Sequence, residues 1–246
     1  MTDRIARVFA PVIQYHKIDV PQRGALVRGC YTPPRRFARQ MHYLKKQGFE
    51  FYSASELIEH YRERGSFPER GITLTFDDGW RDNFTHAFPV LRELGIKATV
   101  FLVPSCIGEV STKAQARGES GRAHLSRDEI LEMSRHGIEL GSHSLNHRLL
   151  HQLSLPEVKL EVEESKRQIE ALVQEPCKVF AYPAGYYSEA VKQVVAEAGH
   201  IAAFSTSYGP MDHLDLYALN RIEILRRDRF LFQFLRKVKP PGTILE

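Results

Sequence analysis

Short apolar runs bounded by turn residues alternate with amphipathic helical stretches along nearly all of this 246-residue chain. That alternation constrains the fold more than anything else in the sequence. A strand buried on both faces, followed by a helix with one apolar stripe, builds parallel βαβ units rather than hairpins. Strands are expected at 11–15 (PVIQY), 49–52, 71–76 (GITLTF), 97–103 (KATVFLV), 137–140 (GIEL), 177–181, 201–205 and 219–225. Helices are expected at 33–47, with Phe37, Met41 and Leu44 on one stripe and Gly48 closing it, and from the caps Ser53 and Ser55 to about 63. Further helices are expected at 82–94, 127–136, 156–173, 188–198 and 229–238. The last is read as burying an aromatic stripe of Phe230, Leu231, Phe232, Phe234 and Leu235.

One segment breaks the rhythm. Residues 105–124 hold Gly108, Gly118 and Gly121 with little to bury, and read as a mobile or lid insertion, a plain surface loop being the alternative. No internal repeat is present, so residues 1–246 are read as a single domain, a length that suits one α/β barrel.

Composition removes whole classes. A 43% hydrophobic share fits a globular chain, and a net charge of +4 is too mild to point to nucleic acid. Cys30, Cys106 and Cys177 are odd in number and widely spaced, which reads as reduced thiols rather than a disulfide framework or a Cys-based metal site. The charged opening Met1–Ala10 is followed by no apolar stretch of signal length, and no window approaches a membrane span. The expected location is therefore cytoplasmic, or extracytoplasmic for a chain trimmed of a leader. Nothing in the pattern fixes an oligomeric state.

Two clusters carry chemistry. Asp77 and Asp78 follow the buried strand GITLTF directly, with Gly79 permitting a sharp turn. Adjacent carboxylates repel, and a cation relieves the repulsion; a bare Asp-Asp-Gly turn is the plainer alternative. The second cluster, His143 and His147, follows the strand GIEL four residues apart, a spacing that puts both rings on one side of a helical turn. His151 repeats the spacing, but His143 and His147 lie nearest the strand end. One carboxylate and two imidazoles make a three-ligand site for a divalent metal with positions left open, and the second carboxylate is free to act as a base.

At these residues the chain resembles the NodB-like polysaccharide deacetylases, carbohydrate esterase family 4, from about Val12 to Leu225. Thr75-Phe76-Asp77-Asp78-Gly79 matches the family's first motif letter for letter, and His143-Ser144-Leu145-Asn146-His147 matches H-[ST]-x-x-H. The surroundings Phe88–Leu91, Lys97–Phe101 and Gly137–His143 also look alike. The resemblance implies a single distorted (β/α) barrel, Asp77 as catalytic base, and Asp78, His143 and His147 as metal ligands, with zinc first and cobalt, nickel, manganese or iron as alternatives. The third motif departs from the family. Phe180-Ala181-Tyr182-Pro183-Ala184-Gly185 has Ala181 where the family has the arginine that orients the base, and Ala184 in place of an aromatic. The Ala184 amide can still serve an oxyanion, since that role needs no side chain.

The family's late Leu-His motif has no match, and His213 sits in an acidic turn. Gln14-Tyr15-His16-Lys17-Ile18 instead resembles the YHxI opening of the circularly permuted branch that deacetylates poly-N-acetylglucosamine, which implies His16 as general acid. A histidine satisfied at a strand end is the alternative. Trp80 and Arg81 are read as lining the sugar groove or packing beside a helix start, and Tyr182, Tyr186 and Tyr187 as a sugar-stacking rim or a Tyr-rich turn. Arg221 is read as solvated or ion-paired, with replacement of the missing arginine as the alternative. The expected reaction is metal-dependent removal of N-acetyl groups from an amino-sugar glycan. A related amidohydrolase of a small formamide or cyclic imide is one rival, and a catalytically weak sugar-binding module is the other. The spare carboxylate argues against an iron oxygenase.

Overall fold

A computed structural model describes residues 11–207 and 213–238. The charged opening, 1–10, lies outside the described residues. The chain runs β1 (Val12–Tyr15), α1 (Pro34–Lys46), β2 (Glu50–Tyr52), α2 (Ala54–Arg64), β3 (Gly71–Phe76), α3 (Phe88–Glu93), β4 (Ala98–Leu102), α4 (Thr112–Ala116) and α5 (Arg127–Arg135). It continues β5 (Ile138–Ser142), α6 (Leu155–Val173), β6 (Val179–Ala181), α7 (Glu189–Glu197), β7 (Ala202–Phe204), β8 (Ile222–Glu223) and α8 (Leu231–Val238).

Every strand pairing is parallel, as crossover helices require. The sheet order is β7-β6-β5-β4-β3-β1-β8, with β2 on the first half of β3, so the strand carrying Asp77 and Asp78 sits centrally. The sheet curls into a half-barrel of the NodB-like (β/α) type, and its ends approach where Leu219 pairs with Phe204. Because all strands run the same way, their C-terminal ends, and the loops after them, share one rim. β3 is buried along its whole length. Beneath that rim one large apolar cluster joins Tyr15, Phe37 and Phe76, whose rings pack at 5.3–5.8 Å.

Three expectations change. The helix at 82–94 divides into a wide turn, Asn83–Ala87, and then α3, where Pro89 has no N–H to continue the regular ladder. The late strand shrinks to Ile222–Glu223. The final helix does not bury its whole aromatic run: Phe234, Leu235 and Val238 face inward, while Phe230 and Phe232 are 59% and 58% exposed. A helical period of 3.6 places 231, 234, 235 and 238 on one stripe and leaves 230 and 232 off it.

The 105–124 segment is stitched to the loop after β1. Ser111 caps α4, the Leu26 amide donates to the Arg117 carbonyl at 2.9 Å, and Gln22 bonds both ways with Ser120. Glu119, 1% exposed, takes the Lys17 ammonium at 3.1 Å and the Tyr31 hydroxyl, and Arg122 lies 3.5 Å away. Cys30 and Cys177 are free thiols. Among the described residues no helix is long and apolar enough to cross a membrane.

Candidate metal centre and active site

The rim of strand ends brings together residues far apart in the sequence, Arg221 and Asp77 among them at 144 positions. Asp77 and Asp78 leave β3, His16 leaves β1, His143 leaves β5, and Arg221 enters β8. Asp78, His143 and His147 form a cluster whose ligand atoms all lie within 4.8 Å of one another. The Nε2 atoms of His143 and His147 are 3.6 and 3.2 Å from Asp78 Oδ1. His151 is exposed and packs on Tyr186 instead.

The two histidines do not converge through a helical turn. After β5 the chain is irregular, and Ser144 (φ 62°) and His147 (φ 56°) both adopt left-handed backbone. The Ser144 hydroxyl accepts from the His147 amide at 3.0 Å, and buried Glu161 takes both the amide and the side-chain nitrogen of Asn146 at 2.8 Å. Asp78 (φ 71°) and Ala184 (φ 55°) are left-handed too. Such conformations cost a non-glycine residue energy and persist where surroundings over-determine them, which here means the site.

The donor set fits a cation on its own geometry. His143 Nδ1 lies 2.7 Å from the Ala181 carbonyl, which can only accept, so Nδ1 carries the ring proton and Nε2 offers a lone pair. That lone pair faces a carboxylate oxygen, also an acceptor. Burial, above all, lowers the His143 pKa to about 4 and keeps the ring neutral, as a ligand must be. Asp78 is held well below the usual carboxylate range: burial opposes ionisation, but His147, His16 and His143 favour it.

Asp77 is 1% exposed, and Arg221 grips it with Nη1 on Oδ1 and Nη2 on Oδ2, both at 2.7 Å. Gln14 Nε2 also donates to Oδ2 at 2.7 Å. Burial pushes the Asp77 pKa up, yet the Arg221 charge, with His143 and His16, brings it down to about 2. Arg221 itself is fully buried, donating to the Ser205 carbonyl at 2.8 Å and Thr75 Oγ1 at 3.2 Å. Arg221 was read as solvated or ion-paired, and it is ion-paired, its partner being the residue expected to be the base. Gln14 was missed altogether, although its place at the end of β1, two residues before His16, gave the signal.

His16 lies within electrostatic reach of both carboxylates, and its buried Nδ1 has no hydrogen-bond partner. Trp80 does not line an open groove. It is 8% exposed, stacks on His124 at 4.2 Å, and donates its indole N–H to Asp78 Oδ2 at 2.8 Å, leaving Oδ1 toward the histidines. Arg81 points outward and pairs with Glu129 at 2.7 Å. Tyr182 does not contribute to a sugar-stacking rim, because it is fully buried with its hydroxyl on the Tyr217 carbonyl at 2.9 Å. Pro183 is buried, Ala184 is exposed, Gly185 is half-buried, and the accessible aromatic here is Tyr186, 60% exposed.

The family described as polysaccharide deacetylase matches residues 64–203. The chain is 27% identical over 215 residues to YxkH of Bacillus subtilis (strain 168), spanning 87% of this chain and 71% of that protein. It is 25% identical over 179 residues to a poly-beta-1,6-N-acetyl-D-glucosamine N-deacetylase of Staphylococcus aureus, spanning 69% of this chain and 59% of that enzyme's length. Among solved structures, the Streptococcus pyogenes deacetylase PplD, determined in complex with acetate, superposes with a TM-score of 0.80 at 26% identity, covering 96% of this chain and 100% of that one.

Proposed function

The chain belongs to the polysaccharide deacetylase family, and we propose that it is a metal-dependent hydrolase that removes N-acetyl groups from an amino-sugar glycan or oligosaccharide. The observation that carries the reading is the bidentate Arg221–Asp77 pair beside the Asp78–His143–His147 cluster. A base with its own cationic partner and a separate set of cation ligands is what amide hydrolysis needs.

Asp78, His143 and His147 are the residues that would hold the cation, zinc first on the preference of a two-imidazole, one-carboxylate set. When bound, that cation supplies positive charge that polarises the acyl oxygen and eases loss of a proton from water. Asp77, kept ionised and fixed in orientation by Arg221 and Gln14, takes the proton of the attacking water. His16, in its protonated form, gives a proton to the departing amine nitrogen. The Ala184 amide serves the oxyanion.

The alternative of a weak sugar-binding module rested on Ala181 and Ala184 standing where the family has an arginine and an aromatic. Arg221 supplies that charge from the other end of the sheet, which favours turnover. The whole is proposed to act as one domain, with 105–124 walling one side of the site. The test is acetate release from N-acetylglucosamine oligomers by protein reconstituted with zinc, compared with a small cyclic imide. Asp77→Asn should bind metal normally and lose at least about a hundredfold in rate. Cleavage of the imide alone, or binding of the oligomer without acetate release, would replace this reading with one of its rivals.

A further inference from the structure

Two segments that the reaction does not use carry a net positive charge larger than that of the whole chain. Helix α1 carries five Lys and Arg side chains and no carboxylate, and 226–238 carries five against the single Asp228. These two segments hold a net +9, so a chain of +4 overall leaves the rest of the sequence at −5. The mild total hides a strong separation.

The two segments form one surface. Phe37, Met41 and Leu44 of α1 and Phe234, Leu235 and Val238 of α8 belong to the same buried cluster. Arg36 Nη1 donates to the Arg226 carbonyl at 3.0 Å. The one carboxylate is already taken, since Asp228 pairs with Lys237 at 2.7 Å. The arginines of both segments have no carboxylate partner among the described residues. Burial first, and then the charges of Arg39, Arg229 and Arg226, pull the Arg36 pKa down, which marks crowding of like charge. At the edge of this field the Phe230 and Phe232 rings stack nearly parallel, centroids 5.6 Å apart, with more than half of each residue's surface open.

We propose that this face docks on an anionic lipid bilayer, with Phe230 and Phe232 entering the boundary between headgroups and acyl chains and the arginines meeting lipid phosphates. The charge is complementary, and a cationic face flanking protruding aromatic side chains is the pattern of interfacial binding. Arg226 follows β8 closely and Arg36 sits in the first turn of α1, so the face begins at the rim of strand ends that bears the catalytic groups. Docking there would keep the site beside the membrane surface. The inference is independent of the deacetylase reading.

Flotation with vesicles of phosphatidylcholine, alone and mixed with phosphatidylglycerol, tests it. Binding should appear only with the anionic lipid and weaken at least about tenfold between about 0.05 and 0.5 M salt. The double variant R227E/R229E, at exposed positions, should bind at least about tenfold less, and R227K/R229K should retain binding. F230S/F232S should weaken it several-fold and leave the salt dependence in place. Equal flotation on neutral vesicles, indifference to R227E/R229E, or self-association abolished by F230S/F232S would overturn the proposal. So would tight binding to polyglutamate or nucleic acid without flotation.

Discussion

Arg221 meets Asp77 end to end, both guanidinium Nη atoms on both carboxylate oxygens at 2.7 Å, with neither side chain more than 1% exposed. The pair joins the entrance of β8 to the exit of β3 and sets an arginine beside the proposed base, where Ala181 offers none. Its consequence is a pH effect. In the proposed role of base Asp77 must be ionised, and the arginine charge is what first offsets the burial that would otherwise raise its pKa. Arg221→Lys keeps a charge but loses the fork. The acid limb of kcat against pH should therefore move upward and the maximal rate fall at least about tenfold, with metal stoichiometry unchanged. Arg221→Ala, which strands a buried carboxylate, should also lower stability by roughly 3–5 kcal/mol. An acid limb that stays in place in Arg221→Lys would show that the pair is structural only.

The difference between what was legible in the sequence and what was not follows the range of the interactions. Alternating strands and helices are local patterns, and so the parallel sheet, the buried GITLTF strand and the position of Asp77 and Asp78 at its end could all be read. His143 and His147 were found by spacing, but for a helical reason that does not hold: left-handed backbone at Ser144 and His147, with Glu161 holding the loop, brings the rings together. Arg221 and Gln14 were the harder cases, because a contact across 144 or 63 residues leaves no periodic trace. Trp80 and Tyr182 were expected near sugar because aromatic residues beside a motif suggest stacking; burial and a hydrogen-bond partner each decided otherwise.

Trp80 gives the cation ligands a second test. Its indole N–H occupies Asp78 Oδ2, fixing the carboxylate so that Oδ1 faces both histidines. Partners of this kind typically contribute about 10–100-fold to metal affinity. Trp80→Phe should weaken zinc binding by that order in competition with a chromophoric chelator, while the fold is retained. Trp80 is also the only tryptophan of the chain, so its emission reports on the site directly. Cobalt should quench it in the native protein and fail to do so in His147→Ala. Quenching that persists in that variant would place the metal elsewhere.

Glu119 tests whether 105–124 is a wall or a lid. The carboxylate is buried, and Lys17, Tyr31 and Arg122 all converge on it. Removing one partner of a buried ion pair commonly costs about 3–5 kcal/mol. In Glu119→Gln the segment should open to limited proteolysis between α4 and α5 well below the temperature at which the sheet unfolds. The native protein should resist cleavage there. Equal cleavage of both would mean that the segment moves freely with its anchors in place.

His200 should set part of the acid limit of stability. It is 2% exposed against Phe180, neither ring nitrogen has a hydrogen bond, and burial followed by the Lys166 charge lowers its pKa from 6.5 to about 3. Above pH 6.5 the ring is neutral in both folded and unfolded chains and contributes no pH dependence. As the pH falls below 6.5 the unfolded chain takes up a proton that the folded ring cannot, so stability drops continuously until about pH 3, by as much as roughly 4 kcal/mol. His200→Phe removes that proton uptake and leaves the other titrating groups in place. Urea unfolding of both proteins from pH 7 to pH 4 should give curves that diverge downward for the native protein. Parallel curves would mean that the native ring is protonated in the fold and has found a partner.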